Sequence, residues 1–175
     1  MRPNFFIFSL PRSGTSWLSV FLTGPDSYCF HEPTADFTPV EWLNQAENRP
    51  ERIVGGIDTG AYAYAERIIS ATPEADYFAL YRDPLEINRS GRALGMGFYG
   101  WEKEYDRLKS LKLEPIYYSK FRDLGYLKEL WQRIIGRPFD EGRAQQLMGM
   151  NIQRDVCDFF IQRPDIGQMA QKWLQ

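Results

Sequence analysis

The chain has one histidine and two cysteines, Cys29 and Cys157, in 175 residues. One imidazole and two distant thiols write no zinc-ligand spacing, so no metal is expected. Reduced, buried thiols in a cytoplasmic protein are the expectation for both cysteines. There is no basic excess either: 21 Lys and Arg stand against 23 Asp and Glu, a formal net charge of −2. A nucleic-acid partner is therefore not expected, and any anion site must come from locally placed arginines and backbone dipoles. No apolar run reaches the length of a membrane span. The apolar start lacks the small-residue cleavage site of a secretory signal and reads as a first strand. Internal repeats and low-complexity linkers are missing too. What is plentiful is apolar surface: 43% of residues are hydrophobic and 15% aromatic. That is enough for one compact domain over residues 1–175, with a ring-rich core.

The most informative stretch is FFIFSLPRSGTSW, residues 5 to 17. Phe5 to Phe8 read as a buried strand. A Pro-Arg-Ser-Gly-Thr-Ser loop follows and opens into a helix with apolar Trp17, Leu18, Phe21 and Leu22. The first N–H groups of such a helix have no carbonyl partners, and the helix dipole favours negative charge there. Gly14 lets an anion approach the backbone. Ser13, Thr15 and Ser16 add hydroxyl donors, and Arg12 adds a fixed charge with a forked donor set. The plainer alternative is an ordinary strand–helix turn. The usual nucleoside-triphosphate loop needs a leading Gly and ends Gly-Lys-Ser/Thr. Here Ser9 or Leu10 stands near the first Gly position, and Thr15 replaces the Lys. That argues against an ATPase or a kinase.

Short apolar runs alternate with helical patterns along the chain, which predicts a parallel α/β sheet. Strands are expected at about 4–10, 27–31, 52–58, 76–81 and 114–119. Helices are expected at about 14–23, from Thr38 or Pro39 through Glu47, and at about 59–72. Another opens at Pro84, one carries Phe121, Leu124, Leu127, Trp131 and Ile134, and Asp140 caps one running to about Met150. The stretch from Arg154 onward has no assignable pattern. The result is a three-layer, P-loop-like fold with a central parallel sheet of about five strands flanked by helices.

A second constellation lies at the end of the fourth strand, Tyr81-Arg82-Asp83-Pro84. Ligands of open α/β sheets bind at the carboxyl ends of strands, so Arg82 is expected in the same crevice as the first loop. Ser90 sits about two helical turns into the next helix and can converge with Arg82 on one phosphate. The bland alternative is an ion pair of Arg82 with Asp83 or Glu86 and a solvated Ser90.

Pro11-Arg12-Ser13-Gly14-Thr15-Ser16-Trp17 resembles the 5′-phosphosulfate loop of sulfotransferases that use 3′-phosphoadenosine 5′-phosphosulfate (PAPS). Leu80-Tyr81-Arg82-Asp83-Pro84, with Ser90 in step, resembles the 3′-phosphate site of the same family. Residues 115 to 124, PIYYSKFRDL, resemble the family's late strand and following segment, with Arg122 where the family carries an acid. The Gly-rich basic segment that many members carry near the C-terminus is not found, and Arg154 or Arg163 are the candidates to replace it. The likeness implies transfer of a sulfuryl group from PAPS, without a metal, to a small-molecule, sugar or peptide acceptor bearing a hydroxyl or amine. It implies that Arg12, Ser13, Gly14, Thr15, Ser16 and Trp17 hold one end of the donor and Arg82 and Ser90 the other.

Such a transfer needs a base opposite the loop. Glu32, after the second strand, is the first candidate, because carbohydrate and tyrosylprotein sulfotransferases carry a Glu in a similar place. His31 is the second, as a natural proton acceptor near neutral pH or as the group that positions Glu32. Asp58 at the end of the third strand is the third, as a base, as an acceptor contact, or as a residue that orders the loop. Phe98, Tyr99, Trp101 and Tyr105 either line an acceptor pocket or pack the core. Two other readings stay open: a nucleotide-kinase-like phosphotransferase, and a catalytically inactive nucleotide- or partner-binding module.

Overall fold

The computed structural model describes residues 3–93 and 100–150. Phe98, Tyr99, Cys157, Arg154 and Arg163 lie outside the described residues. Five strands form one all-parallel sheet: β1 (Phe5–Ser9), β2 (Ser27–His31), β3 (Ile53–Asp58), β4 (Asp76–Tyr81) and β5 (Glu114–Tyr117), in the order β2-β3-β1-β4-β5. The helices are α1 (Thr15–Leu22), α2 (Pro33–Asp36), α3 (Pro39–Glu47), α4 (Ala65–Ala71), α5 (Pro84–Arg92), α6 (Trp101–Ser110), α7 (Leu124–Ile134) and α8 (Glu141–Gly149). The expected architecture, a parallel sheet between helical layers, is the observed one.

β1 sits at the centre because every one of its residues is buried. A strand covered on both faces has no use for polar alternation, so it reads as a continuous apolar run. Its side chains still alternate between the two faces. Phe5 and Ile7 join the core beneath α1, α7 and α8, with Leu18, Phe21, Leu127 and Trp131. Phe6 and Phe8 join the opposite core, with Trp42, Ile68, Ile87 and Leu108. Each phenylalanine contributes a few kcal/mol by burial. Their bulk is matched across the ladder, where Phe5 pairs with Gly55 and Phe6 with Gly56. A Cβ on Gly55 would fall 2.5 Å from the Phe5 ring, so the β3 glycines make room for the rings of β1.

From β1 the chain crosses to β2 and β3 on one side and then to β4 and β5 on the other. The strand order reverses at β1, which opens a crevice beyond its carboxyl end. Three local differences from the sequence reading have physical causes. The span 59–72 is not one helix but a 3-10 turn, Ala61–Tyr64, followed by α4. Asp58 Oδ1 accepts from the N–H groups of Gly60 and Ala61, both at 2.9 Å, which fixes a tight turn first. The fifth strand stops at Tyr117 and passes into a 3-10 turn, Tyr118–Lys120. The short α2 and the whole of α6 were not expected, and Leu108 is the one buried residue of α6.

Candidate active site

The crevice is a cleft of about 920 Å³ lined by the loop after β1, the ends of β2 to β5, one face of α5 and the end of α8. The loop is held by its own backbone. Arg12 has φ 63° and Gly14 φ 88°, both in the left-handed region. That conformation is natural for glycine and costs Arg12 roughly 1 kcal/mol or more. Gly14 stands at the N-cap of α1 without a side-chain cap. The N–H groups of the first turn thus have no side-chain cap, the arrangement that an anion can satisfy. A Cβ on Gly14 would lie 2.6 Å from the Tyr118 ring, so glycine is required there by contact as well as by conformation.

The loop residues do not all face the same way. Thr15, Ser16 and Trp17 line the cleft. Ser13 is fully buried, and its Oγ has no hydrogen-bond partner. The loop therefore offers the hydroxyls of Thr15 and Ser16 rather than that of Ser13. Trp17 is stacked on Phe21 and Phe121 with centroids 5.3 and 4.9 Å away. Its Nε1–H donates to the carbonyl of Leu147 at 3.0 Å, so the indole is a fixed wall.

One half of the cleft is cationic. Arg12 Nε and Nη2 donate to Ser90 Oγ at 3.2 and 3.0 Å. Arg82 Nη1 donates to the carbonyl of Arg12 at 2.7 Å, and its guanidinium lies 4.0 Å over the Tyr118 ring. Arg82 Nε also pairs with Glu86 at 3.2 Å, the ion pair allowed for in the bland alternative. Arg82, Ser90 and the glycine turn thus lie on one side of the sheet, and the Arg12 side chain reaches toward Ser90. Burial, and then the charge of Arg82, lower the pKa of Arg12 from its ordinary value. Two guanidinia brought this close are a configuration that an anion relieves. Tyr118 was not picked out from sequence, yet it supports both Gly14 and Arg82. Arg122, noted there only as a departure from a pattern, also lines the cleft.

The other half is protic. Glu32 follows β2 with φ 52°, a strained conformation for a residue in front of proline. Its Oε2 accepts from Thr59 N and Oγ1 at 3.1 and 2.9 Å. Burial pushes its pKa up to about 7 against the pull of those Thr59 hydrogen bonds, and the nearby Asp58 adds to the rise. His31 Nε2 lies 3.1 Å from Thr15 Oγ1, 3.2 Å from Ser16 Oγ and 3.6 Å from Glu32 Oε1. Burial lowers the His31 pKa to about 4, outweighing the attraction of Asp58 and Asp36, so its ring is neutral at pH 7. Asp58 is itself buried and fully engaged. Its Oδ2 accepts from Thr34 N and Oγ1 at 2.9 and 2.6 Å, and its Oδ1 from the turn after β3. Those four bonds tie α2 to that turn, which gives Asp58 the loop-ordering role.

Among the described residues, no group of three His, Cys, Asp or Glu side chains is placed to hold a metal, and no helix is long and apolar enough to cross a membrane. Cys29 is buried, and burial raises the pKa of its thiol far above the ordinary value. Arg143 on α8 was also missed by sequence reading. It is buried and donates to the carbonyls of Val20, Phe21 (3.0 Å) and Thr23. It thereby caps the far end of α1, where the dipole favours a cation.

No protein-family model matches this sequence, and no curated protein matches it. Solved structures do match in fold. A sulfotransferase from Alicyclobacillus acidocaldarius superposes with a TM-score of 0.55 at 18% identity, over 98% of this chain and 95% of that one. Mouse sulfotransferase SULT7A1, in a structure complexed with PAP, superposes with a TM-score of 0.57 at 11% identity. That match covers 83% of this chain and 63% of the mouse chain. The five-stranded parallel sheet between helical layers is therefore that of the sulfotransferase fold.

Proposed function

We propose that this chain transfers a sulfuryl group from PAPS to a hydroxyl or amine acceptor. The observation that carries the reading is the division of one cleft into a cationic half and a protic half. Amides and hydroxyls of residues 14 to 16 would cradle the 5′-phosphosulfate. Arg82 and Ser90 would hold the 3′-phosphate, and Trp17 would form the fixed wall beside them. Arg12, which touches Ser90, would stabilise charge between the two ends of the donor. A cleft of about 920 Å³ is of the size that takes a nucleotide-sized ligand.

Across the cleft, Glu32 would take the acceptor proton as the new O–S or N–S bond forms and the S–O bond to the 5′-phosphate breaks. With its pKa near 7, this carboxylate is matched to proton abstraction at neutral pH. His31, neutral until about pH 4, is the weaker candidate for that step. The leaving phosphate gains charge, and preorganised loop donors stabilise such charge most effectively. A cytoplasmic setting belongs to this proposal, with a small molecule, sugar or peptide as acceptor.

A thermal-shift panel of adenine nucleotides tests the reading, because a ligand that binds only the folded chain raises its melting temperature. Adenosine 3′,5′-bisphosphate is expected to stabilise the protein more than ATP does, with or without magnesium. A larger, magnesium-dependent shift with ATP would replace the proposal with phosphoryl transfer. Stabilisation by the bisphosphate without turnover of PAPS would leave a binding module.

A further inference from the structure

His31 occupies an unusual point in the cleft. Its Nε2 is within hydrogen-bond distance of both loop hydroxyls and 3.6 Å from the carboxyl of Glu32. One ring nitrogen thus joins the cationic half to the protic half.

A hydroxyl has one hydrogen to give and lone pairs with which to accept. Thr15 and Ser16 can each donate to His31 Nε2 or to an anion on the loop, but not fully to both. When the hydrogens go to the anion, the hydroxyl oxygens face Nε2 with lone pairs only. A bare nitrogen there would set lone pair against lone pair, whereas an N–H would donate to the oxygens. The same N–H would point a partial positive charge toward Glu32 Oε1 and favour its carboxylate form. Among the described residues, Asp58, Asp36 and Glu32 are charged groups that act on His31, and all three are acids. Burial nonetheless keeps the ring neutral at pH 7, so the change is one of tautomer and not of charge.

We infer that His31 is a positioning residue that couples the phosphate loop to the base: an anion on the loop turns the Thr15 and Ser16 hydroxyls toward itself and selects the ring tautomer with hydrogen on Nε2, which donates to the hydroxyl oxygens and sets a partial positive charge 3.6 Å from Glu32 Oε1. One hydrogen leaves the other ring nitrogen and one arrives at Nε2 by exchange with solvent, so no net proton is taken up. This rests on the proposed function for the identity of the anion. Its consequence is an order: Glu32 becomes a competent base once the donor is seated.

The chain's only histidine makes the test direct, since 15N-histidine labelling reports this ring alone. The full-length protein would be titrated with sulfate, which does not titrate near neutral pH, and with adenosine 3′,5′-bisphosphate. Backbone amide shifts of residues 14 to 16 would report loop binding independently. Binding is expected to move Nε2 to the protonated 15N position while the ring stays neutral. His31→Gln, whose amide N–H replaces Nε2–H without titrating, should keep bisphosphate affinity within about threefold, and His31→Leu should lose about tenfold. Loop amides that respond while Nε2 stays unprotonated would overturn the coupling and leave the proposed function standing. Wild-type affinity in the Leu variant would do the same. If neither anion shifts the amides of residues 14 to 16, both readings fall together.

Discussion

The two halves of the cleft hold their functional groups by different means. On the β4 side, Arg12, Arg82 and Ser90 are half-buried and are braced by one another, by Glu86 and by the Tyr118 ring. On the β2 and β3 side, Glu32 and His31 are half-buried like them, but their partners are hydroxyls, a backbone amide and each other. The first half is built on two guanidinia. The second half has its proton affinities moved in opposite directions by the same burial, up for the acid and down for the imidazole. The proposed transfer, which holds an anion and moves a proton, would use both designs side by side.

The largest expected effect comes from the protic half. Glu32→Gln should lower PAPS-dependent kcat by about 10²- to 10⁴-fold, the usual range for a lost general base, while bisphosphate affinity by calorimetry stays within about twofold. Wild-type kcat/KM should rise through pH values near 7 as Glu32 ionises, and the variant should lack that limb. The sign follows from the raised pKa: the base is protonated and idle below it and active above it. A loss of affinity equal to the loss of rate would instead place Glu32 in donor binding and erase the division.

The next effect comes from the cationic half. Arg82→Ala removes a charge-assisted contact and should weaken bisphosphate binding by roughly 10- to 100-fold. Sulfate affinity should fall with it. A smaller change is expected of Ser90→Ala, about three- to tenfold in bisphosphate affinity, since one neutral hydroxyl and the anchor of Arg12 are lost. Should the Ser90 change exceed the Arg82 change, the Arg12–Ser90 pair would be the true clamp and Arg82 its brace.

Strong local signals made much of this molecule readable from sequence. β1 and β4 are uninterrupted apolar runs, so their place at the centre of a parallel sheet followed from composition. Thr38 and Asp140 cap helices through their own side chains, which marked the starts of α3 and α8 to within a residue. The loop Arg12–Ser16 announced itself by its small residues in front of an amphipathic helix. α6 was missed although Trp101, Tyr105 and Leu108 recur at helical spacing and pack on one core, because two of those rings were read together with Phe98 and Tyr99 as an aromatic cluster. The break after Asp58 was hidden because it depends on a carboxylate reaching two amides rather than on glycine or proline. Tyr118 and Arg143 escaped for a common reason: each acts on an element more than a hundred residues away, and no local pattern encodes such a contact. The joining of His31 to Thr15 and Ser16 is another product of topology, since β2 reaches the loop across the end of the sheet.

α8 grips α1 at both extremities. The Leu147 carbonyl receives the indole N–H of Trp17 near the front, and the Arg143 guanidinium gathers three carbonyls at the rear. A rod pinned at two points cannot slide or pivot without tearing a buried guanidinium from its oxygens. A ligand met at the tip of α1 would therefore be accommodated by side-chain rotors and by the neighbouring turns, with the helix as the fixed datum.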